Sequence, residues 1–168
     1  MTRIRLCRAA DIPAIHRVIN AAAEAYREVI PADQWHEPYM PLSTLERDIE
    51  SGVVFCGCED ERELVGVMGV QNVRNVELIR HAYVLPTYQR SGIGASLIEH
   101  LLRNSGRPML VGTWAAARWA ISFYQRHGFV LVPSENAANL LRSYWTLSDR
   151  QVETSVVLAN PPFSSEGR

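Results

Sequence analysis

A phosphate group needs N–H donors that no other group is using, and residues 83–96 (YVLPTYQRSGIGAS) are of the type to supply them. An apolar strand pattern ends there, a short polar turn follows, and a helical pattern begins at Gly92 and Gly94. The first N–H groups of a helix have no acceptor within it, and the helix dipole places partial positive charge beside them. Two positions without side chains let an anion approach those groups, and Arg90 adds a cation. Two well-known phosphate loops do not fit. The dinucleotide fingerprint requires a third glycine where Leu97 stands, and the nucleoside-triphosphate loop requires a Gly-Lys-Ser/Thr ending. A plain strand-to-helix turn is the alternative for this loop taken by itself.

Gln89-Arg90-Ser91-Gly92-Ile93-Gly94 resembles the pyrophosphate loop, Gln/Arg-x-x-Gly-x-Gly/Ala, of the GCN5-related N-acetyltransferase (GNAT) superfamily. Residues 120–129 (AISFYQRHGF) resemble its later block, in which a helix carries Phe-Tyr and runs into Gly-Phe; Ala120, Phe123, Tyr124, Gly128 and Phe129 are in register. One position departs: Ala117 stands where the superfamily often has Asn. The resemblance implies an N-acetyltransferase that uses acetyl-CoA and an amine acceptor. It implies that the strand before the loop splays from its neighbour and that the pantetheine arm lies in the gap. Tyr83, Val84 and Leu85 would then hold that arm, and Gln89, Arg90, Ser91, Gly92, Ile93, Gly94 and Ala95 the diphosphate. Main-chain N–H groups near Val84 would face the thioester carbonyl, where a donor stabilises the developing oxyanion. Tyr124 matches the tyrosine that donates to the leaving sulfur; a buried aromatic on an amphipathic helix is its structural alternative.

The base is less legible. The superfamily's glutamates register with Leu78 and Gly112, so no carboxylate stands in place. Glu77 is one residue off, and strand alternation turns it to the other face unless a bulge intervenes. His81 shares the face of Glu77 by the same alternation and ionises near neutrality as a residue type. Either would act through water, or no dedicated base exists. On the acceptor side the resemblance directs attention to residues 26–39, with Tyr26, Trp35, His36, Glu37 and Tyr39. Aromatic faces with a carboxylate suit a cationic amine; a loop stitched down by its aromatics is the alternative. Trp114, at the end of a strand, is a further candidate wall, whereas Trp119 and Trp145 read as packing residues. A non-catalytic acyl-CoA sensor is the competing function, favoured by Ala117 and the missing carboxylate and opposed by Tyr124.

These residues need a frame. Residues 3–8 alternate as a strand does; Asp11 is placed to cap a helix running toward Ile30, and Pro31–Leu42 reads as an irregular loop. Ser43–Glu46 has the form of a capping box, and Gly52 stops the second helix. Apolar runs at 53–58, 64–73 and 76–85 predict an antiparallel meander. A helix over 92–103, a strand over 109–114, a helix over 116–126, a strand over 129–132, a helix over 135–145 and a strand over 151–159 complete it. The order predicts an α/β fold, a mixed and mostly antiparallel central sheet with helices on both faces, in one domain over 1–159 with 160–168 as a disordered tail.

The 168 residues suit one domain with a real core. Hydrophobic residues at 47% and charged residues at 21% exclude a disordered chain. A net charge of -1 gives no basic excess for nucleic acid, and no apolar run is long enough to span a membrane. Cys7, Cys56 and Cys58 form no disulfide framework; Cys56 and Cys58 point to one strand face and read as buried thiols in a reducing cytoplasm, with no metal-ligand spacing beside them. The superfamily's frequent dimers leave a homodimer open.

Overall fold

The apolar runs between residues 53 and 85 pair as the meander their spacing predicts: β2 (Val54–Asp60), β3 (Glu63–Val73) and β4 (Val76–Val84). Two-residue turns at 61–62 and 74–75 join them; Glu61, Arg62 and Arg74 take the left-handed conformations that tight hairpins favour. The computed structural model describes residues 1–164. Its sheet also holds β1 (Thr2–Leu6), β5 (Met109–Trp114), β6 (Val130–Leu131) and β7 (Ser155–Asn160), in the order β1-β2-β3-β4-β5-β7-β6. Only β4 and β5 run parallel. The sheet is mixed and mostly antiparallel, with helices on both faces, as the sequence predicts.

One face carries α3 (Ile93–Asn104) and α4 (Arg118–Arg126). Ile93, Leu97, Ile98 and Leu101 repeat at helical spacing and pack on Val65, Met68, Ile79 and Met109; each such buried side chain contributes about 1.5–3 kcal/mol. Cys56 and Cys58 lie side by side in this cluster as free, buried thiols. The other face carries α1 (Ile12–Ala23), α2 (Leu42–Glu50) and α5 (Ser134–Tyr144).

Several boundaries move, each for a local reason. β1 ends at Leu6. Helix α1 ends at Ala23, where its buried stripe stops, and a tighter turn at Glu24–Tyr26 follows in place of helix toward Ile30. Asp11 does not cap α1. Its carboxylate instead accepts the Arg8 N–H at 2.7 Å and both arms of the Arg5 fork at 2.9 Å, stronger partners than a helix N–H. Helix α2 starts at Leu42 behind Pro41, so Ser43 and Glu46 sit inside it and form no capping box. Helix α4 begins at Arg118 with Ala117 at its N-cap, and no side chain caps it. The largest difference is at 149–153, which form a short helix, α6 (Asp149–Glu153), before β7. Ser148 accepts from the Gln151 N–H at 3.2 Å and donates its own N–H to the Gln151 side chain at 2.9 Å. That reciprocal cap outweighs the strand-like alternation of QVETSVV. Ordered structure continues past 159: Asn160 ends β7 and Phe163 packs on the α5 cluster. The rest of the expected tail, 165–168, lies outside the described residues.

Candidate active site

The parallel strands β4 and β5 pair only over Glu77–Ile79 and Met109–Val111, although β4 continues to Val84 and β5 to Trp114. Beyond Ile79 they part. The N–H of Leu85 donates to Val65 on the β3 side at 2.8 Å. Successive peptide groups face opposite edges, so the N–H and C=O of Val84 face the gap. The Gln89 amide donates to that carbonyl at 3.2 Å, joining the loop to the strand end.

The loop then turns into α3. Gly92 is its N-cap, at φ 84°. A Cβ at 92 would meet nothing within 4 Å, so the backbone conformation, not space, requires glycine there. The Ser96 N–H closes the first helical bond, to Gly92 O at 3.0 Å. The N–H groups of Ile93, Gly94 and Ala95 therefore have no acceptor one turn back. A Cβ at Gly94 would lie 3.3 Å from the Phe123 ring and narrow the space between α3 and α4.

A cleft of about 740 Å³ runs along this turn between α3, α4 and the gap. Of the residues the sequence suggests for the cofactor, Tyr83, Val84, Gln89, Arg90, Gly92, Ile93, Gly94 and Ala95 border it; Leu85 and Ser91 do not. Leu85 packs against the core clusters on both sides of the sheet, and the Ser91 hydroxyl donates to Tyr88 O. The opposite wall comes from α4, through Trp119, Phe123, Arg126 and His127. Trp119 is thus 46% exposed on a cleft wall, tilted on Tyr26 with ring centres 5.1 Å apart, and not a packing residue. The spacing of 119, 123, 126 and 127 is one helical stripe, a signal legible in the sequence but masked by the apolar look of tryptophan.

A second cleft, about 260 Å³, opens on the α5 and α6 side. Tyr26 and Trp114 border it, as does Trp145, which also packs on α5. Tyr26, Ala82, Tyr83 and Tyr124 border both clefts, so the two meet where the strands part. Burial pushes the Tyr26 hydroxyl up to about 12, with Tyr39 adding to the rise and bonds from Trp119 and Thr113 opposing it. The Tyr83 hydroxyl, raised well above its ordinary value by burial and then by Tyr39, donates to Tyr39 at 3.3 Å. Tyr124 is 6% exposed; burial, and secondarily Tyr26, holds its hydroxyl far above the ordinary tyrosine value. At neutral pH it keeps its proton.

His81 is at a β-bulge between the pairs Val67–Tyr83 and Gly69–Arg80, with φ 57°. The bulge reverses the alternation, so His81 leaves the face of Glu77 and turns toward α2. Its Nε2 is 2.7 Å from Asp48 Oδ2, and its ring stacks on Phe55. Burial raises Asp48, but bonding to His81 and the charges of His81, Arg80 and Arg47 leave it below its ordinary value. His81 and Arg80 both border the smaller cleft. Glu77 borders neither. Trp35, His36 and Glu37 also lie outside both clefts: Glu37 pairs with Arg27 and accepts the Trp35 indole N–H at 3.0 Å, Arg27 lies over the Trp35 ring, and Trp35 stacks on Tyr39.

Parted parallel strands, a glycine turn at a helix N-terminus and a two-sided cleft define a GNAT-type acyltransferase fold. A family model described as an acetyltransferase (GNAT) domain matches residues 51–131 of the chain. Solved structures share the fold. PaiA N-acetyltransferase from Thermoplasma acidophilum, in complex with coenzyme A, superposes with a TM-score of 0.70 at 15% identity, over 95% of this chain and 98% of that one. The ribosomal-protein-S18-alanine N-acetyltransferase from Escherichia coli gives 0.67 at 16% identity, over 100% and 99%. An acetyltransferase from Thermus thermophilus gives 0.68 at 14% identity, over 95% and 96%. Identities this low carry the fold alone. No curated protein matches the chain in sequence.

Proposed function

We propose that the protein is an N-acetyltransferase that moves an acetyl group from acetyl-CoA to a primary amine by direct attack in a ternary complex. The observation that carries this is the meeting of two clefts at Tyr26, Ala82, Tyr83 and Tyr124. The larger fits the donor. Open amides of Ile93–Ala95 with Arg90 and Arg126 suit a diphosphate, and the unpaired edge of β4 suits an amide-bearing arm. The thioester supplies an activated acetyl group. The N–H of Val84 on that edge is the candidate donor to its carbonyl oxygen. The amine enters from the smaller cleft; as its nitrogen bonds the acetyl carbon, the C–S bond breaks, nitrogen loses a proton and sulfur takes one. Tyr124, held neutral by its burial, donates to the sulfur. His81 is the candidate base, through water, with Asp48 as its positioning residue. Glu77, away from both clefts, has no such place. Alignment of the two reactants supplies much of the remaining rate. Three free thiols fit a reducing compartment, and on that ground we assign the cytoplasm. No described helix is long and apolar enough to cross a membrane.

The test is coenzyme A release from acetyl-CoA with a panel of amines. Tyr124→Phe should lower kcat by about 10- to 100-fold with coenzyme A affinity unchanged. An unaltered kcat removes Tyr124 from the reaction. Coenzyme A binding without release from any amine would make the chain a non-catalytic acyl-CoA module, the reading that the uncapped Ala117 and the missing carboxylate favour.

A further inference from the structure

The carboxylate of Glu37 would suit a cationic acceptor, but the smaller cleft has different walls. Trp114, Trp145, Leu141 and the tyrosine rings give it apolar walls, polar groups line nearly as much of it, and Gln151 adds an amide. Tyrosines apart, its ionisable side chains are Arg80 and His81, and no Asp or Glu borders it among the described residues. The nearby carboxylate, Asp48, is bonded to His81 at 2.7 Å and reaches Arg80 only at 3.6 Å. Arg80 has one firm bond, from Nη1 to the Gln71 side chain at 2.8 Å. A guanidinium carries five donor hydrogens in a planar fork, so donors remain for another acceptor. A diamine or polyamine would bring its second positive charge against Arg80, where the one nearby carboxylate, Asp48, is already bonded to His81. Once acetylated, an acceptor with a carboxylate bears only negative charge, which suits the remaining donors of the Arg80 guanidinium. The volume, about 260 Å³, lies below that of pockets for drug-sized ligands.

We propose that the acceptor is a free amino acid with an apolar side chain, its carboxylate held by Arg80 and its side chain seated among Trp114, Trp145 and Leu141. The assignment rests on the acetyl-transfer reading and is tested so that the two can fail separately. Initial rates of coenzyme A release are compared for L-leucine, L-leucinamide, 3-methylbutylamine and spermidine. Binding of N-acetyl-L-leucine to the protein saturated with coenzyme A is measured by calorimetry. L-leucine should exceed 3-methylbutylamine in kcat/KM by about 10- to 100-fold. Arg80→Gln should abolish that preference, and Arg80→Lys should restore part of it. Equal rates for L-leucine and 3-methylbutylamine, or a preference for spermidine, overturn the amino-acid assignment and leave acetyl transfer standing. If no amine releases coenzyme A, acetyl transfer falls. The calorimetry then decides the seat by itself: N-acetyl-L-leucine binding that is lost in Arg80→Gln supports a carboxylate seat at Arg80, and no binding to the wild type overturns it.

Discussion

His81 and Asp48 show what a single extra residue in a strand can do. Without the bulge, the imidazole would point away from α2. With it, Nε2 meets Asp48 and the ring borders the acceptor cleft. A non-glycine residue at φ 57° is uncommon and is maintained only where its surroundings compensate, here by the Asp48 bond and the Phe55 stack. With Nε2 committed to the carboxylate, Nδ1 is the nitrogen left to accept a proton. His81→Gln should flatten the acid limb of the kcat/KM profile. Asp48→Asn weakens the bond that holds Nε2 and should lower the plateau. A profile that keeps the wild-type limb in His81→Gln excludes His81 as the base.

At the scale of elements, the first strand and helix are held by charge rather than by caps. Arg5 on β1 bonds Asp11 just before α1 and Glu59 on β2, each at 2.9 Å, and so ties three elements that together aim α1 and Tyr26 at the cleft. Bonding to Arg5, opposed by burial and aided by the Arg8 N–H, lowers Asp11 from 3.8 to about 2. A carboxylate lowered on folding stabilises the fold fully above its unfolded value, and that contribution disappears as pH falls through its folded value. Asp11→Asn should lower Tm at pH 7 by roughly 2–4 °C, the shift expected for about 1 kcal/mol in a chain of this size. The gap between variant and wild type should close as pH approaches 2. A gap that persists unchanged into acid would mean that Asp11 acts through shape and not charge. Elements are also where sequence patterns mislead most: alternation in QVETSVV suggested strand through residues that the Ser148–Gln151 cap winds into α6.

For the whole molecule, a donor cleft bounded by α1, β4, α3 and α4 should couple binding to global stability. Coenzyme A at about 100 times its Kd should add about 2.7 kcal/mol, and so raise Tm by roughly 5–10 °C for a protein of this length. Gly92→Ala forces a side chain into the left-handed region and should cost about 1–2 kcal/mol by itself. It should also shrink the coenzyme A shift, because relief of that strain turns the open amides away from the anion. An undiminished shift in the variant would place the diphosphate elsewhere.

The larger cleft, proposed for the cofactor, was legible in the chain because the turn and strand end that line it are local. A glycine with positive φ, the next helix turn and the strand end lie within fourteen consecutive residues, 83–96, and the second block, 120–129, is one helix run. Spacing alone then fixes which N–H groups are open and that Tyr124 shares a helix with Phe123. The pairing of β2, β3 and β4 was legible for a similar reason, since hairpins with short turns pair with their neighbours. The acceptor half was not. Arg80 and His81 on β4, Asp48 on α2, Trp114 on β5 and Trp145 beyond α5 come together only after the sheet is formed and β4 and β5 part. Sequence proximity instead suggested Trp35 and Glu37, which satisfy each other and Arg27 on the surface. A bulge and a strand splay are decided by competition among packed neighbours, which no local pattern in the chain records.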